Sequence, residues 1–355
     1  MENSYFDNFY KGKTVLITGH TGFKGSWLSI FLLELGAKVI GYGLDPLNEK
    51  DNFNLSSLPS RMVDVRGDIR DTQKLESIFQ QYQPEVVFHL AAQALVRDSY
   101  DSPVETFDVN VMGTIHVMEA IRKSPSVVSA VLVTTDKCYE NKEQWWGYRE
   151  NDPMGGHDPY SASKGACEIA IQSWRKSYHL DGTNGKAIAS VRAGNVIGGG
   201  DWAKDRIIPD CIRALESGET IEIRSPKSIR PWEHVLEPLS GYLLLAMKLY
   251  ESPLLYSEAW NFGPHIDSVV PVWDIAEKVV SNYGTGNLVD VSDRSQPHEA
   301  KLLALDISKT FFKLGWKTRL NIDQTIKLTV DWYKRYKKMD VYQLCVEQIQ
   351  YFLGK

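Results

Sequence analysis

Short runs of β-branched and apolar residues recur along this chain with helical stretches between them, and that alternation limits the folds open to it more than any other feature. Thr14–Thr18 reads TVLIT; three glycines follow, and then SWLSIFLLELG, an apolar helix ended by Gly36. Further runs stand at Lys38–Gly43 (KVIGYG), 61–66, 85–91 (EVVFHLA), 129–135 (SAVLVTT) and 187–191 (AIASV), with helical patterns over 103–123 and 160–179. Strands without a polar face are covered on both faces, which calls for a parallel sheet between two helical layers. The expected fold class is therefore α/β and doubly wound. The last third mixes helical patterns (234–250, 271–283, 321–338) with short strands such as 219–223, and reads as a smaller α/β region covering the substrate.

With 355 residues, 43% of them hydrophobic, the chain can bury a sizeable core. A net charge of -5 supplies no basic field for a polyanion, so nucleic acid and anionic membranes are excluded as main partners and anion recognition must be local. No apolar run approaches the roughly 18 residues that span a bilayer. The opening MENSYFDNFYKGK lacks a secretory signal, so a cytoplasmic protein is expected. Cys138, Cys167, Cys211 and Cys345 lie far apart without a CxxC pair or a Cys/His cluster, which points to free thiols and to no metal.

Strand, glycines, helix is the order of a phosphate loop. Gly19 can make the tight turn, Gly22 lets the backbone approach a pyrophosphate and Gly25 allows close packing, while the helix N-terminus faces the anion. Thr21, Phe23 and Lys24 belong to the same cradle. Asp45, ending the second run, can bind both hydroxyls of an adenosine ribose and would repel a 2′-phosphate, favouring NAD over NADP; its other reading is a turn residue before Pro46. Asp68-Ile69, after the third run, can hold the adenine edge or be an ordinary loop.

The GxxGxxG spacing, Tyr160-Ser-Ala-Ser-Lys164, His89-Leu-Ala-Ala-Gln93 and Asn110-Val-Met-Gly-Thr114 together resemble the extended short-chain dehydrogenase/reductase family, over about residues 13–316. The resemblance implies a Rossmann-type domain with a smaller C-terminal nucleotide-sugar domain. Residues 1–192, with 228–262 returning, would form the NAD-binding part, and 193–227 with 263–355 the sugar-binding part. Leu90, Ala91 and Ala92 would line the cofactor. A homodimer is implied, formed by the helix beginning at Tyr160 and that over 103–123.

Tyrosine and lysine four apart share a helix face, so the Lys164 ammonium can favour a Tyr160 phenolate. In the family this pair takes a hydroxyl proton as hydride passes to the nicotinamide, and Lys164 also holds the nicotinamide ribose. Thr135, or its neighbour Thr134, would hydrogen-bond the same hydroxyl. Asp136 follows that threonine, as an acidic residue does in nucleotide-sugar 4,6-dehydratases; it would protonate the departing C6 hydroxyl once oxidation at C4 has made the C5 proton acidic. A glutamate commonly follows as the C5 base, whereas this chain has Lys137. That lysine is either a base of lowered pKa or a stabiliser of the enolate, and if charged it would hold Asp136 ionised, the wrong form for an acid.

Residues 192–202 (RAGNVIGGGDW), 205–210 (DRIIPD) and 230–239 (RPWEHVLEPL) resemble the branch of these dehydratases that acts on CDP-D-glucose in bacterial deoxysugar synthesis for surface polysaccharide. Asn195, Arg206 and Arg230 would then contact the nucleotide diphosphate, or else serve as structural hydrogen-bonding residues. A sugar epimerase is the nearer alternative, and a cofactor-binding regulatory protein the more distant one. His20 and His89 read as packing residues because neither has an acidic partner or metal-ligand spacing in the sequence.

Overall fold

The computed structural model describes Phe6, residues 8–292 and residues 302–354. Its strands in chain order are β1 (Thr14–Thr18), β2 (Lys38–Gly43), β3 (Val63–Arg66), β4 (Val86–His89), β5 (Ser129–Val133), β6 (Ala187–Ala193), β7 (Asn195–Ile197), β8 (Ile221–Ile223), β9 (Ile229–His234), β10 (Ala259–Phe262), β11 (Val269–Pro271) and β12 (Leu288–Asp290). Seven of them form one parallel sheet in the order β10-β6-β5-β4-β1-β2-β3. The chain winds outward from β1 in both directions, so the switch point lies between β1 and β4, where a ligand crevice opens at the carboxyl ends of the strands.

Period-two alternation divides the core. Val15, Ile17, Val86 and Phe88 point to one side with Trp27 and Phe31, while Leu16, Val87, Ala130 and Leu132 point to the other with Val117, Ile121 and Ile171. The helix Phe23–Glu34 is buried over most of its circumference because a C-terminal helix, Val341–Leu353, packs on its outer side, where Tyr342 Oη donates to Glu34 at 2.7 Å. This last helix was not foreseen from the sequence. It explains why SWLSIFLLE carries no polar stripe. The same apolar helix ends as expected, with Gly36 at φ +80° past the C-cap.

The region 103–123 is not one regular helix. Pro103–Phe107 passes through a π-helical turn, Asp108–Met112, into Gly113–Lys123. The widened turn carries Asn110, whose side chain donates to Ser163 Oγ at 2.9 Å and Gln93 O at 3.0 Å and accepts from Gln93 N at 2.9 Å. Two motifs distant in sequence are thereby tied to the helix that bears Tyr160. Outside the large sheet, β9 pairs in parallel with β7 and antiparallel with β11, and β8 pairs with β12.

Candidate active site

The glycine loop fills the crevice at the end of β1. Gly19 has φ +75°, and a Cβ there would stand 2.6 Å from Ala91 N; a Cβ on Gly25 would stand 2.1 Å from Gly19 O. Gly22 differs, since its Cβ would meet only Gly19 O, at 3.5 Å. Protein packing therefore explains Gly19 and Gly25, while the bare backbone at Gly22 leaves open space of the kind a pyrophosphate needs. Thr21 turns its hydroxyl to Leu44 O at 2.9 Å, and Phe23 lies under Gly198.

Asp45 is exposed at the end of β2, with Arg66 Nη1 at 3.7 Å. Asp68, past β3, is gripped by Arg70, which holds its carboxyl below the usual range, and Ile69 is buried against Gly113. Leu90 and Ala91 follow β4, their amides directed at Thr18 O (3.0 Å) and Thr18 Oγ1 (3.4 Å). His89, the last residue of β4, is buried, its ring held by Thr18 at 2.6 Å and Thr114 at 3.0 Å, and burial pushes it down to about 3, so it stays neutral. His20 also packs, over Gly41, where a Cβ would be 2.2 Å from the ring. It does have an acidic partner that the sequence concealed: Asp64 on β3, 2.8 Å from Nε2.

Across the crevice, Pro159 opens the helix Pro159–Ser177 and Asp158 caps it through Ser161 N at 2.9 Å, which fixes Tyr160 in the first turn. The two threonines after β5 part ways. Thr134 turns inward to Glu168 and Val191 O, whereas Thr135 faces the Tyr160 phenol and donates to Asp136 Oδ1 at 3.1 Å. Thr135 is therefore the threonine of the site. The carboxyl of Asp136 is 2% exposed and its Oδ2 has no hydrogen-bond partner. Burial raises it above the ordinary carboxylate range, outweighing Lys137, Thr135, Arg230 and Lys24, which each favour the ionised form.

Tyr160 behaves differently from expectation. Burial pushes its phenol up to about 12, and the opposing influences are Thr135 and Arg206. Lys164 is buried, donates to Val133 O at 3.4 Å and is itself lowered by burial. The phenolate thus needs more positive charge than the protein supplies alone.

Of the residues expected at the diphosphate, Arg206 is half-buried and held by Asp201 at 2.8 Å, Arg230 is buried with Nη1 on Ile229 O at 2.9 Å, and Asn195 starts β7 opposite Trp232. Two groups were missed. Glu168 and Arg192, each 4% exposed, pair at 2.8 Å beneath Thr134, with Ser190 and Tyr139 completing the network. Glu168 lies one helical turn beyond Lys164, a spacing that could have revealed it. The second is Arg66 at the end of β3, considered below.

A nucleotide loop, a buried Tyr/Thr/Asp cluster and a doubly wound sheet define an enzyme that works on a nucleotide-linked substrate, and the family model described as GDP-mannose 4,6 dehydratase matches residues 16–329. The chain belongs to that family. Among its relatives is the CDP-glucose 4,6-dehydratase of Salmonella typhimurium, 47% identical over 341 residues that cover 95% of each chain. The dTDP-glucose 4,6-dehydratase of the same organism is 27% identical, covering 90% of this chain and 92% of the relative. Solved structures of like fold include a dTDP-glucose 4,6-dehydratase from Streptomyces venezuelae with NAD and TYD bound, with TM-score 0.77, 24% identity and coverage of 91% and 97%. The UDP-glucose 4-epimerase of Thermus thermophilus in complex with NAD has TM-score 0.78 at 25% identity, covering 90% and 99%.

Proposed function

We propose that this protein converts CDP-D-glucose to CDP-4-dehydro-6-deoxy-D-glucose and water, with NAD as a recycled cofactor. Asp136 carries the reading. An epimerase needs a base at the C4 hydroxyl and no acid beside it, whereas a buried, raised carboxyl with an unpartnered oxygen has a use when the C6 hydroxyl must leave. The choice of CDP-D-glucose is supported by the 47% identical relative and by the runs at 192–202, 205–210 and 230–239.

The open space at Gly22 suits the pyrophosphate. Gly19, Thr21, Gly22, Phe23, Lys24 and Gly25 would hold it, Asp45 the adenosine ribose, Asp68 and Ile69 the adenine, Leu90, Ala91 and Ala92 the inner wall, and Tyr160 with Lys164 the nicotinamide ribose. When bound, NAD accepts the C4 hydride and later returns it to C6. The Tyr160 phenolate takes the C4 hydroxyl proton while Thr135 orients that oxygen. Asp136 Oδ2 protonates the C6 hydroxyl as it departs, and we assign to Lys137 both the removal of the C5 proton and its return to C5 as the hydride is delivered to C6. Asn195, Arg206 and Arg230 are assigned to the diphosphate.

The reaction neither takes up nor releases a proton overall, so the proton gained by Tyr160 must replace the one lost from Asp136. Thr135 stands between them with its hydroxyl directed at Asp136 Oδ1. It can accept from the phenol and pass its own proton on, which restores phenolate and acid together.

We also infer a homodimer. Its support is the apolar exposure of Val104 (81%), Phe107 (39%), Met112 (43%) and Ile169 (62%) on segments that pack side by side. A cytoplasmic role in deoxysugar synthesis accords with the fact that no helix among the described residues is long and apolar enough to cross a membrane. We divide the chain into residues 1–192, with 228–262 returning, and residues 193–227 with 263–355; the helix Leu236–Glu251 and β10, which pack on and pair with the large sheet, support that return.

The test is to supply CDP-D-glucose deuterated at C4 without added cofactor. Deuterium at C6 beside a 4-ketone supports the reading, and recovery of a C4 epimer, or of unchanged sugar even after NAD is added, overturns it.

A further inference from the structure

Arg66, the last residue of β3, brings a guanidinium to the end of the crevice where Asp45 stands. Its Nη2 donates to Asp64 Oδ2 at 2.8 Å, its Nη1 donates to Leu44 O at 3.2 Å, and the guanidinium lies over the Phe53 ring, 4.9 Å from the centroid. Asp64 is held in turn by His20 Nε2 at 2.8 Å, and the His20 and Phe53 rings meet edge to face at 5.2 Å. The four side chains thus close on one another beside the glycine loop. Asp45 is not among these supports. It is 87% exposed, and its Oδ1 stands 3.7 Å from Arg66 Nη1, a contact between screened charges that fixes neither partner. An adenosine ribose with two free hydroxyls asks for the carboxylate and has no use for a fixed cation next to it. A ribose bearing a 2′-phosphate has such a use, since a guanidinium is suited to bind phosphate oxygens in pairs.

We propose that Arg66 is a preformed anchor for a 2′-phosphate, and that the Asp45 carboxylate alone keeps NADP out. The inference rests on the reading of Asp45 as the carboxylate that binds the adenosine ribose. A carboxylate that accepts from the 2′-hydroxyl is in hydrogen-bond contact with that oxygen. A guanidinium 3.7 Å from the same carboxylate is therefore within reach of a phosphate built on it. With Asp45 present, the phosphate meets a like charge first, and the carboxylate also faces the guanidinium that would bind it. Without Asp45 the guanidinium keeps its place, because Asp64, Leu44 O and Phe53 still hold it. Those two hydrogen bonds use one hydrogen of each Nη, and the side chain is still 32% exposed, so its outer edge is open to a ligand. Asp64 directs its oxygens at Arg66 and His20 and is 14% exposed, which turns its charge away from the ribose side. The choice between the two dinucleotides is then a difference of affinities set by one exposed side chain.

The test is titration of apo protein with NAD and with NADP, read by calorimetry. Asp45→Ser should tighten NADP by about tenfold or more and weaken NAD by about tenfold, so that the preference narrows or reverses. Adding Arg66→Met to Asp45→Ser should cancel the gain for NADP and move NAD by less than about threefold, while Arg66→Lys in its place, a charge without the fork, should keep part of the gain. Arg66→Gln, which removes the charge and keeps a hydrogen-bond donor, replaces Arg66→Met where the latter lowers the melting temperature. NADP bound as weakly by Asp45→Ser as by wild type overturns the proposal. So does a gain that survives Arg66→Met, since relief of repulsion alone then accounts for it. An NAD affinity unmoved by Asp45→Ser counts against the ribose reading instead, and NADP binding with and without Arg66 still decides the proposal.

Discussion

Thr135 donates its hydroxyl hydrogen to Asp136 Oδ1 at 3.1 Å, and the other oxygen of that carboxyl is buried without a partner. The two oxygens thus have separate roles, one facing the protein and one open to the substrate. Asp136→Asn preserves the shape and removes the acid. C4 oxidation should persist while 4-keto-6-deoxy product falls by on the order of a hundredfold or more, measured by single-turnover absorbance of reduced nicotinamide against product NMR. Equal loss of both steps would mean that Asp136 is not the elimination acid.

In the proposed mechanism the Thr135 hydroxyl would bridge phenol and acid, so its chemistry can be separated from its shape. Thr135→Val should lower kcat on the order of a hundredfold, and Thr135→Ser should retain activity within about tenfold of wild type. Steady-state rates on CDP-D-glucose decide it, and a valine variant as active as the serine one removes the hydroxyl from the mechanism.

The three loop glycines should answer alanine differently. Gly19→Ala and Gly25→Ala meet backbone at 2.6 and 2.1 Å, and each should lower the unfolding free energy by about 2 kcal/mol or more. Gly22→Ala, with 3.5 Å of room, should leave the melting temperature nearly unchanged while weakening NAD at least tenfold, because its methyl enters the space left for the ligand. Calorimetry of apo protein and titration with NAD read the two effects. Equal destabilisation by all three would show that the Gly22 space is not reserved.

Beneath Thr134, Glu168 and Arg192 form a buried pair at 2.8 Å. Burial works against the Glu168 carboxylate, yet Arg192, Thr134 and Ser190 together hold it below the usual range. Glu168→Gln strands the Arg192 charge and should cost about 3–5 kcal/mol in urea unfolding, whereas Glu168→Gln with Arg192→Met should recover part of that loss. A loss under 1 kcal/mol would put the pair among weak contacts.

Glu237 gives a pH dependence of opposite sign to that of a paired surface carboxylate. Its Oε1 accepts the amides of Arg319 (2.8 Å) and Leu320 (2.7 Å), but burial dominates and pushes it up to about 7 from 4.5. The folded state therefore holds the proton more tightly than the unfolded state. Its stabilising contribution is complete below about 4.5 and is lost as pH rises through about 7. Relative to Glu237→Gln, wild type should lose on the order of 3 kcal/mol between pH 4 and pH 8, by denaturant unfolding at each pH. A constant difference between the two proteins would refute the assignment.

Alternation of apolar strands with helices was enough to establish the doubly wound sheet, because a strand that is apolar on both faces must be covered twice. The glycine loop, Tyr160, Lys164 and Asp136 were legible for a related reason, since their spacing along one loop or one helix face is local geometry that sequence carries directly. What the sequence left open involves contacts between distant segments. Thr134 and Thr135 are equivalent as letters, and only Glu168 and Arg192 on one side and Tyr160 on the other assign them different tasks. Asp64 reaches His20 from another strand, and the π-helical turn at Asp108–Met112 exists to bring Asn110 to Gln93 and Ser163. Most of all, whether Asp136 is an acid or an anion depended on burial. Its neighbour Lys137 favours the anion, and burial outweighs it, raising the carboxyl above the ordinary range toward the protonated form. Local pattern sets the elements and the chemistry they can bear; protonation and pairing follow from solvent exclusion and from charges that only tertiary packing brings within reach.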